Sequence, residues 1–380
     1  MPNDANTPNG TAAPQDDKVL FTAGNGLGHA TLNRPRAINA LGHDMVRVLD
    51  DALIRWEKDD AVSVVLLDGA GDRGLCAGGD IRAIRASAVD GDSQAADFWR
   101  DEYRLNARIA RYAKPYVALM DGVVMGGGVG VSAHGAVRVV TERSSVGLPE
   151  TTIGFVPDVG GTYLLSRAPG ETGTHLALTG TPIGAADALY TGMADHFVPS
   201  GRLEDLVAAI AKAAPEADVA GAVGRYAEIA PAGKLADQRS WIDSCYSSDD
   251  AGEIVARLRA HGDPEAAEAA DLIEGKSPTS VKTTLAALRR ARGLGTLEEV
   301  LEQEYRVSCA ALAWPDLAEG IRAQVIDKDR NPQWSPATLA EVTGADVALA
   351  FEPVPDGPVG LADPPGSERS DTQSTTGGVP

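Results

Sequence analysis

The run Tyr116-Val117-Ala118-Leu119-Met120-Asp121-Gly122-Val123-Val124-Met125-Gly126-Gly127-Gly128-Val129-Gly130 decides the architecture. Its first five residues are continuously apolar, the pattern of a strand buried on both faces. Three consecutive glycines then turn the chain into a helix expected from Val129 onward. Free N–H groups at a helix start carry partial positive charge and suit an oxyanion. Glycines also serve tight packing, and this run alone leaves both readings open.

Two further stretches have the same character. Leu75-Cys76-Ala77-Gly78-Gly79-Asp80-Ile81 follows the apolar strand Val62–Leu67, and its small residues let a ligand approach the backbone. The letters GxGxxG occur just before it, from Gly69 to Gly74. They run into another loop instead of a helix, so a dinucleotide site is not expected. Farther on, Pro149-Glu150-Thr151-Thr152-Ile153-Gly154-Phe155-Val156-Pro157-Asp158-Val159-Gly160-Gly161 places two carboxylates in apolar surroundings without a neighbouring lysine. Carboxylates so placed have raised pKa values and suit acid/base or nucleophilic work. The plain alternative makes Asp158 a helix cap and Glu150 a solvated loop residue.

Outward from these motifs the pattern is α/β. Val19–Ala23 and Leu27–Leu32, joined by Gly24-Asn25-Gly26, read as a hairpin. Met45, Val48, Leu49, Leu53 and Trp56 recur at helical spacing through Asp44–Lys58. Further strands are expected at Val137–Thr141 and Ser145–Leu148. Beyond about Ala168 the pattern is helical, with Ser277-Pro278-Thr279-Ser280 a strong helix start. We expect a core over 18–200, a helical region over 201–345, and disordered ends at 1–17 and 346–380, the second acidic and rich in Pro and Gly.

The chain has 34 Lys+Arg against 54 Asp+Glu, a formal charge of −20. That balance argues against a nucleic-acid partner, which needs a basic face, and against a charge-held membrane surface. No apolar run is long enough for a spanning helix. The first residues carry Asp4, Asp16 and Asp17 and neither Arg nor an apolar stretch, unlike a secretory or transit segment. Three well-separated cysteines, Cys76, Cys245 and Cys309, support neither a disulfide framework nor a CxxC site. A cytoplasmic location is therefore expected. Six histidines without HxH or HxxxH spacing give no metal site. His134 reads as an interior histidine, and Cys76 has no histidine placed to activate it.

The two glycine turns and the carboxylate pair, in this order, together with Asn33-Arg34-Pro35-Arg36-Ala37-Ile38-Asn39-Ala40-Leu41, resemble the crotonase (enoyl-CoA hydratase/isomerase) superfamily. The resemblance implies a crotonase-like spiral of ββα units with a C-terminal helical region. It implies backbone donors at Gly79 and Gly127 for the thioester oxygen of an acyl-CoA. It also implies contact of the Ala77 carbonyl with the CoA adenine, Arg36 near the CoA phosphates, and Asp80 among the substrate-binding residues. No separate cofactor is implied, coenzyme A being part of the substrate.

Hydratases of the superfamily carry a Glu two residues after the glycine turn, where this chain has Gly130. The hydrolase branch has GGGVG instead, and Glu150 and Asp158 fall on both of its acids. Asp101-Glu102-Tyr103-Arg104-Leu105-Asn106, Lys276–Ser280 and the run from Glu319 to Trp334 also resemble that branch. The implied reaction is hydrolysis of 3-hydroxyisobutyryl-CoA or a similar short 3-hydroxyacyl-CoA, as in valine breakdown. Glu150 would act as nucleophile or general base, Asp158 would hold the 3-hydroxyl, and Glu102 would touch substrate. The alternatives are an enoyl-CoA hydratase/isomerase and a catalytically silent acyl-CoA-binding protein. A homo-oligomer is left open, since the superfamily often forms trimers and the helical extension is placed to restrict them. A polyanionic substrate sits oddly with a charge of −20. The two ends hold −3 and −5 of it, and Arg34, Arg36, Arg73 and Arg82 flank the CoA-facing motifs.

Overall fold

The computed structural model describes residues 17–361. The expected hairpin forms from β1 (Val19–Gly24) and β2 (Gly26–Leu32), paired antiparallel with Val19 opposite Leu32. Four more strands extend the sheet in parallel: β3 (Val62–Gly69), β4 (Tyr116–Met120), β6 (Val137–Val140) and β8 (His196–Phe197). Their order is β1-β2-β3-β4-β6-β8. Between them lie β5 (Val123–Met125) and β7 (Ser145–Gly147), which pair parallel as a small second sheet. The sequence reading missed β5, since three residues between two glycine turns are too short for an alternation to register.

Side-chain alternation divides the core. On β3, Val65 and Leu67 face one cluster with Ala118 and Met120, while Val64 and Leu66 face another with Val117, Leu119 and Val139. The helix Leu203–Ala213 and its successor Val219–Gly224 cover the second face through Leu206, Ile210, Ala222 and Val223. Residues just past 200 therefore belong to the layers around the sheet, on the far side from the remaining helices.

Helix α1 (His43–Lys58) packs through Met45, Val46, Leu49, Ala52, Leu53 and Trp56. Val48, assigned to this face from the sequence, is 42% exposed; Val46 and Ala52 take the inward positions. Two further helices lie between β3 and β4, α2 (Ile81–Asp90) and α3 (Gln94–Ala110). After β5 comes α4, which begins at Gly127 and ends at Gly130. It starts two residues earlier than expected and stops after one turn.

The expectation of a disordered end from 346 is corrected for 346–361; residues 362–380 and 1–16 lie outside the described residues. A helix spans Gly344–Leu349, and Phe351, Val359 and Leu361 are buried. Glu302 accepts hydrogen bonds from the N–H groups of Val359 (3.0 Å), Gly360 (2.7 Å) and Leu361 (2.8 Å). Arg290 stands over the Phe351 ring at 3.9 Å. Average composition concealed these few well-placed anchors.

Candidate active site

Two loops are laced together at the ends of β3 and β4. Leu75 donates its N–H to the Asp121 carbonyl (2.9 Å), Cys76 to Val123 (3.1 Å), and Met125 back to Cys76 (2.9 Å). This lacing brings Gly78–Gly79 alongside Gly126–Gly127. A Cβ built on Gly127 would stand 3.3 Å from the Gly79 nitrogen. Gly127 opens α4, so its N–H has no partner within the helix, and among the described residues neither it nor the Gly79 N–H donates to a protein acceptor. Two such backbone donors thus stand close together at one point.

Carboxylates flank that point. Glu150 begins the short turn Glu150–Ile153, which follows β7, and its Oε1 lies 2.7 Å from the position of a Cβ on Gly126. Glu102, on the inward face of α3, brings its Oε1 to 2.7 Å from the same position on Gly127. It is 2% exposed, so the alternative of a solvated helix-surface Glu does not hold. Glu102 Oε1 and Glu150 Oε2 are buried without a donor among the described residues. Asp158 Oδ2 accepts a hydrogen bond from Tyr103 Oη (2.7 Å), whose oxygen also meets Ser308 Oγ at 2.8 Å. The cavity they share measures about 120 Å³ and has an otherwise apolar wall, including Ile84, Phe98, Trp99, Phe155 and Leu317.

Burial governs the electrostatics. It lifts the Glu102 carboxyl well above the ordinary range, with a further push from the Asp158 charge, and it lifts Glu150 for the same two reasons. Asp158 is raised by burial to about 7, held back by the Tyr103 hydroxyl. Cys76 is fully buried and its thiol pushed up to about 12, consistent with a packing role. Among the described residues no group of His, Cys, Asp and Glu is arranged to hold a metal ion, and no helix is long and apolar enough to cross a membrane.

The burial of Glu102 makes native stability depend on pH. The unfolded carboxyl ionises near its ordinary value of 4.5, whereas the folded one keeps its proton to higher pH. Native stability therefore falls as pH rises through that window. Glu102→Gln removes the titrating group, so its melting temperature should exceed the wild-type value by a margin that grows from pH 5 to pH 9. Calorimetry at the two pH values checks this, and a margin that shrinks with pH contradicts it.

Of the site residues expected from the sequence, Ala77, Gly79, Glu102, Gly127, Glu150 and Asp158 all line this cavity. Arg36 and Asp80 do not. Arg36 is exposed on the turn Pro35–Ala37, and its carbonyl accepts from Arg73 Nη2 (2.6 Å). Asp80 lies 3.5 Å from Arg34 in a neighbouring groove of about 330 Å³, which also has Lys18, His43 and Arg47 on its walls. The guanidinium of Arg34 donates to the Ala40 carbonyl and that of Arg82 to Val325. In the sequence Tyr103 stands only as part of a motif; its role as the donor to Asp158 needs the fold. Glu304, which accepts from the Gly160 and Thr162 N–H groups just after Asp158, had no sequence signal at all.

Gly130 has no room for a side chain. A Cβ there would stand 2.7 Å from Val159 Cβ and 2.9 Å from Asn106 Nδ2. The space that a second carboxylate would need after the glycine turn is filled by the chain following Asp158.

A sheet of this order, with paired N–H donors beside buried carboxylates, matches what sequence comparison finds. The model of the enoyl-CoA hydratase/isomerase family matches residues 27–351, and the chain belongs to that family. Within it, the chain is 42% identical to the mitochondrial 3-hydroxyisobutyryl-CoA hydrolase of Rattus norvegicus over 344 residues, 88% of this chain and 89% of that protein. It is 41% identical to the Homo sapiens protein of the same name over 345 residues, with the same shares. Among solved structures, a carnitinyl-CoA dehydratase from Mycobacterium thermoresistibile is 55% identical with a TM-score of 0.86, covering 90% of this chain and 98% of that one. An enoyl-CoA hydratase from Rhodobacter sphaeroides is 41% identical with a TM-score of 0.85, covering 90% and 99%.

Proposed function

We propose that this protein is an acyl-CoA thioester hydrolase acting on 3-hydroxyisobutyryl-CoA or a similar short 3-hydroxyacyl-CoA. It would release the hydroxy acid and CoA, as in valine breakdown. One observation carries the reading: Glu150 stands beside the paired N–H donors, while the hydratase's other carboxylate position is Gly130, filled by Val159 and Asn106. The hydrolases of rat and human support the substrate.

The thioester carbonyl oxygen sits between the Gly79 and Gly127 N–H groups, where negative charge develops as the carbonyl carbon becomes tetrahedral. Glu150 acts in one of two ways. Its carboxylate attacks the carbonyl carbon and expels the CoA thiolate, leaving a mixed anhydride that water opens. Alternatively it takes the proton of an attacking water, and the tetrahedral intermediate expels the thiolate. Both routes need Glu150 ionised, and its raised pKa makes it a stronger base once it is. Asp158, oriented by Tyr103, holds the substrate 3-hydroxyl, and Glu102 bounds the acyl group on the opposite side.

A second reading is addition or loss of water at a carbon–carbon double bond. Glu102 favours it, since it faces the donor pair from Gly127 as Glu150 does from Gly126, and the two solved structures bear hydratase and dehydratase descriptions. Thiol release from a panel of CoA esters tests the assignment. Turnover of 3-hydroxyisobutyryl-CoA should exceed that of isobutyryl-CoA, which lacks the hydroxyl. Equal rates would remove the role given to Asp158, and no release from any ester would remove the hydrolase reading. The cytoplasmic location is likewise a proposal, resting on three free cysteines; the vertebrate relatives carry "mitochondrial" in their names.

A further inference from the structure

Asp158 is followed by a backbone conformation that needs support. Val159 has φ +54, the left-handed region, where a β-branched side chain crowds its own backbone. Gly160 follows at φ +79, and the Gly161 N–H closes the turn on the Asp158 carbonyl (2.6 Å). Such a conformation persists only when its surroundings over-determine it.

Both poles of the Val159–Gly160 peptide are held. His134 Nε2 donates to the Val159 carbonyl at 2.7 Å. Burial drives its pKa down to about 4, so the ring is neutral at working pH and Nε2 carries the proton. On the other side of the same peptide plane, the Gly160 N–H donates to Glu304 Oε2 at 2.6 Å. Glu304 Oε1 accepts from the Thr162 N–H (2.8 Å) and the Thr162 hydroxyl (2.6 Å). Glu304 is 1% exposed, and burial raises its carboxyl to about 8 against the pull of the Thr162 and Gly160 donors. Four residues along the same helix, Leu297–Ala311, Ser308 meets the Tyr103 hydroxyl that donates to Asp158. One helix of the C-terminal half therefore supports Asp158 twice, through its backbone and through its carboxylate.

We propose that Glu304 is a positioning residue: together with His134 it locks the Val159–Gly160 peptide and so aims Asp158 at the substrate hydroxyl. The inference rests on the hydroxyl-holding role given to Asp158 above. The alternative, a cap on the short helix α5 (Gly161–Ser166), gives no reason for a loss confined to hydroxylated substrates.

The test compares Glu304→Ala and Glu304→Gln for kcat and KM on 3-hydroxyisobutyryl-CoA and isobutyryl-CoA. Misplacement of a reacting group by about 1 Å costs on the order of 10²-fold. A loss of that size is expected for Glu304→Ala on the hydroxylated ester, with a much smaller one on isobutyryl-CoA and partial recovery in Glu304→Gln, which keeps an acceptor. In an Asp158→Asn background, Glu304→Gln should add no further selective loss. Equal losses on both esters overturn the proposal, as does no loss on either. Should Glu304→Ala fail to fold, His134→Asn, which releases the opposite pole, is expected to reproduce the selective loss. A crystal structure of Glu304→Ala or His134→Asn gives a readout independent of turnover: Val159 should leave the left-handed region and Asp158 should part from Tyr103. An unchanged turn in both overturns the proposal, whereas a wild-type protein inert toward the hydroxylated ester overturns the functional reading instead.

Discussion

Glu150→Gln is expected to reduce hydrolysis of 3-hydroxyisobutyryl-CoA by at least the 10²–10⁴-fold that general-base catalysis typically supplies, roughly speaking, while CoA-ester binding changes little. The amide is nearly isosteric, so the cavity keeps its shape, but it neither attacks a thioester nor takes a proton from water. Because the side chain is buried, with no donor to Oε2 among the described residues, the substitution also relieves an ionised group of its desolvation cost. Lower activity should therefore come with unchanged or greater thermal stability, the signature of a group retained for chemistry. Stopped-flow thiol release and isothermal titration with a CoA ester separate the two effects. Near-normal turnover would remove Glu150 from the mechanism.

The pH profile gives the sign independently. The proposed mechanism requires Glu150 ionised, and its pKa lies well above the ordinary carboxylate range, so kcat/KM should climb with pH along an acidic limb displaced upward from 4.5. Asp158, raised to about 7, adds a second ionisation in the same region, so the limb belongs to the coupled carboxyls together.

Gly127→Ala should be nearly as damaging for a different reason. The methyl would stand 2.7 Å from Glu102 Oε1 and 3.3 Å from the Gly79 nitrogen, in the mouth of the donor pair. A thioester oxygen could no longer reach both N–H groups. Removing one such donor costs roughly 10²–10³-fold in kcat, and displacement of Glu102 adds to it. The loss should fall on kcat more than KM, because the donors act most strongly on the tetrahedral oxyanion. Steady-state kinetics on the purified variant checks this, and a change in KM alone would argue that the pair merely binds substrate.

The parts of the site that were legible in the sequence are those written as local pattern. Gly126–Gly128 after an apolar strand, and Gly78–Gly79 after another, announce loops that present backbone, and Glu150 and Asp158 stand out as acids in apolar company. What joins them is not local. The bonds from Leu75 and Cys76 to Asp121 and Val123 set the spacing of the two N–H donors, and β5, the element that makes this possible, is three residues long. Glu102 looked equally suited to a solvated helix surface, because its burial depends on what α3 packs against. Glu304 lies 146 residues beyond Asp158, in a helix whose own pattern says only that it is amphipathic. The disordered-end expectation failed at 346–361 because a few anchors, chiefly Phe351 and the Val359–Leu361 amides on Glu302, outweigh a composition that averages as tail.

The central claim is that this site breaks a thioester and does not add water to a double bond. Wild-type protein given 3-hydroxyisobutyryl-CoA and, separately, crotonyl-CoA answers it, with free thiol and loss of enoyl absorbance followed side by side. Rapid thiol release from the hydroxyacyl ester with little loss of enoyl absorbance is the predicted result. Rapid hydration of crotonyl-CoA without thiol release from either ester would contradict it and assign the Glu102–Glu150 pair to hydratase chemistry.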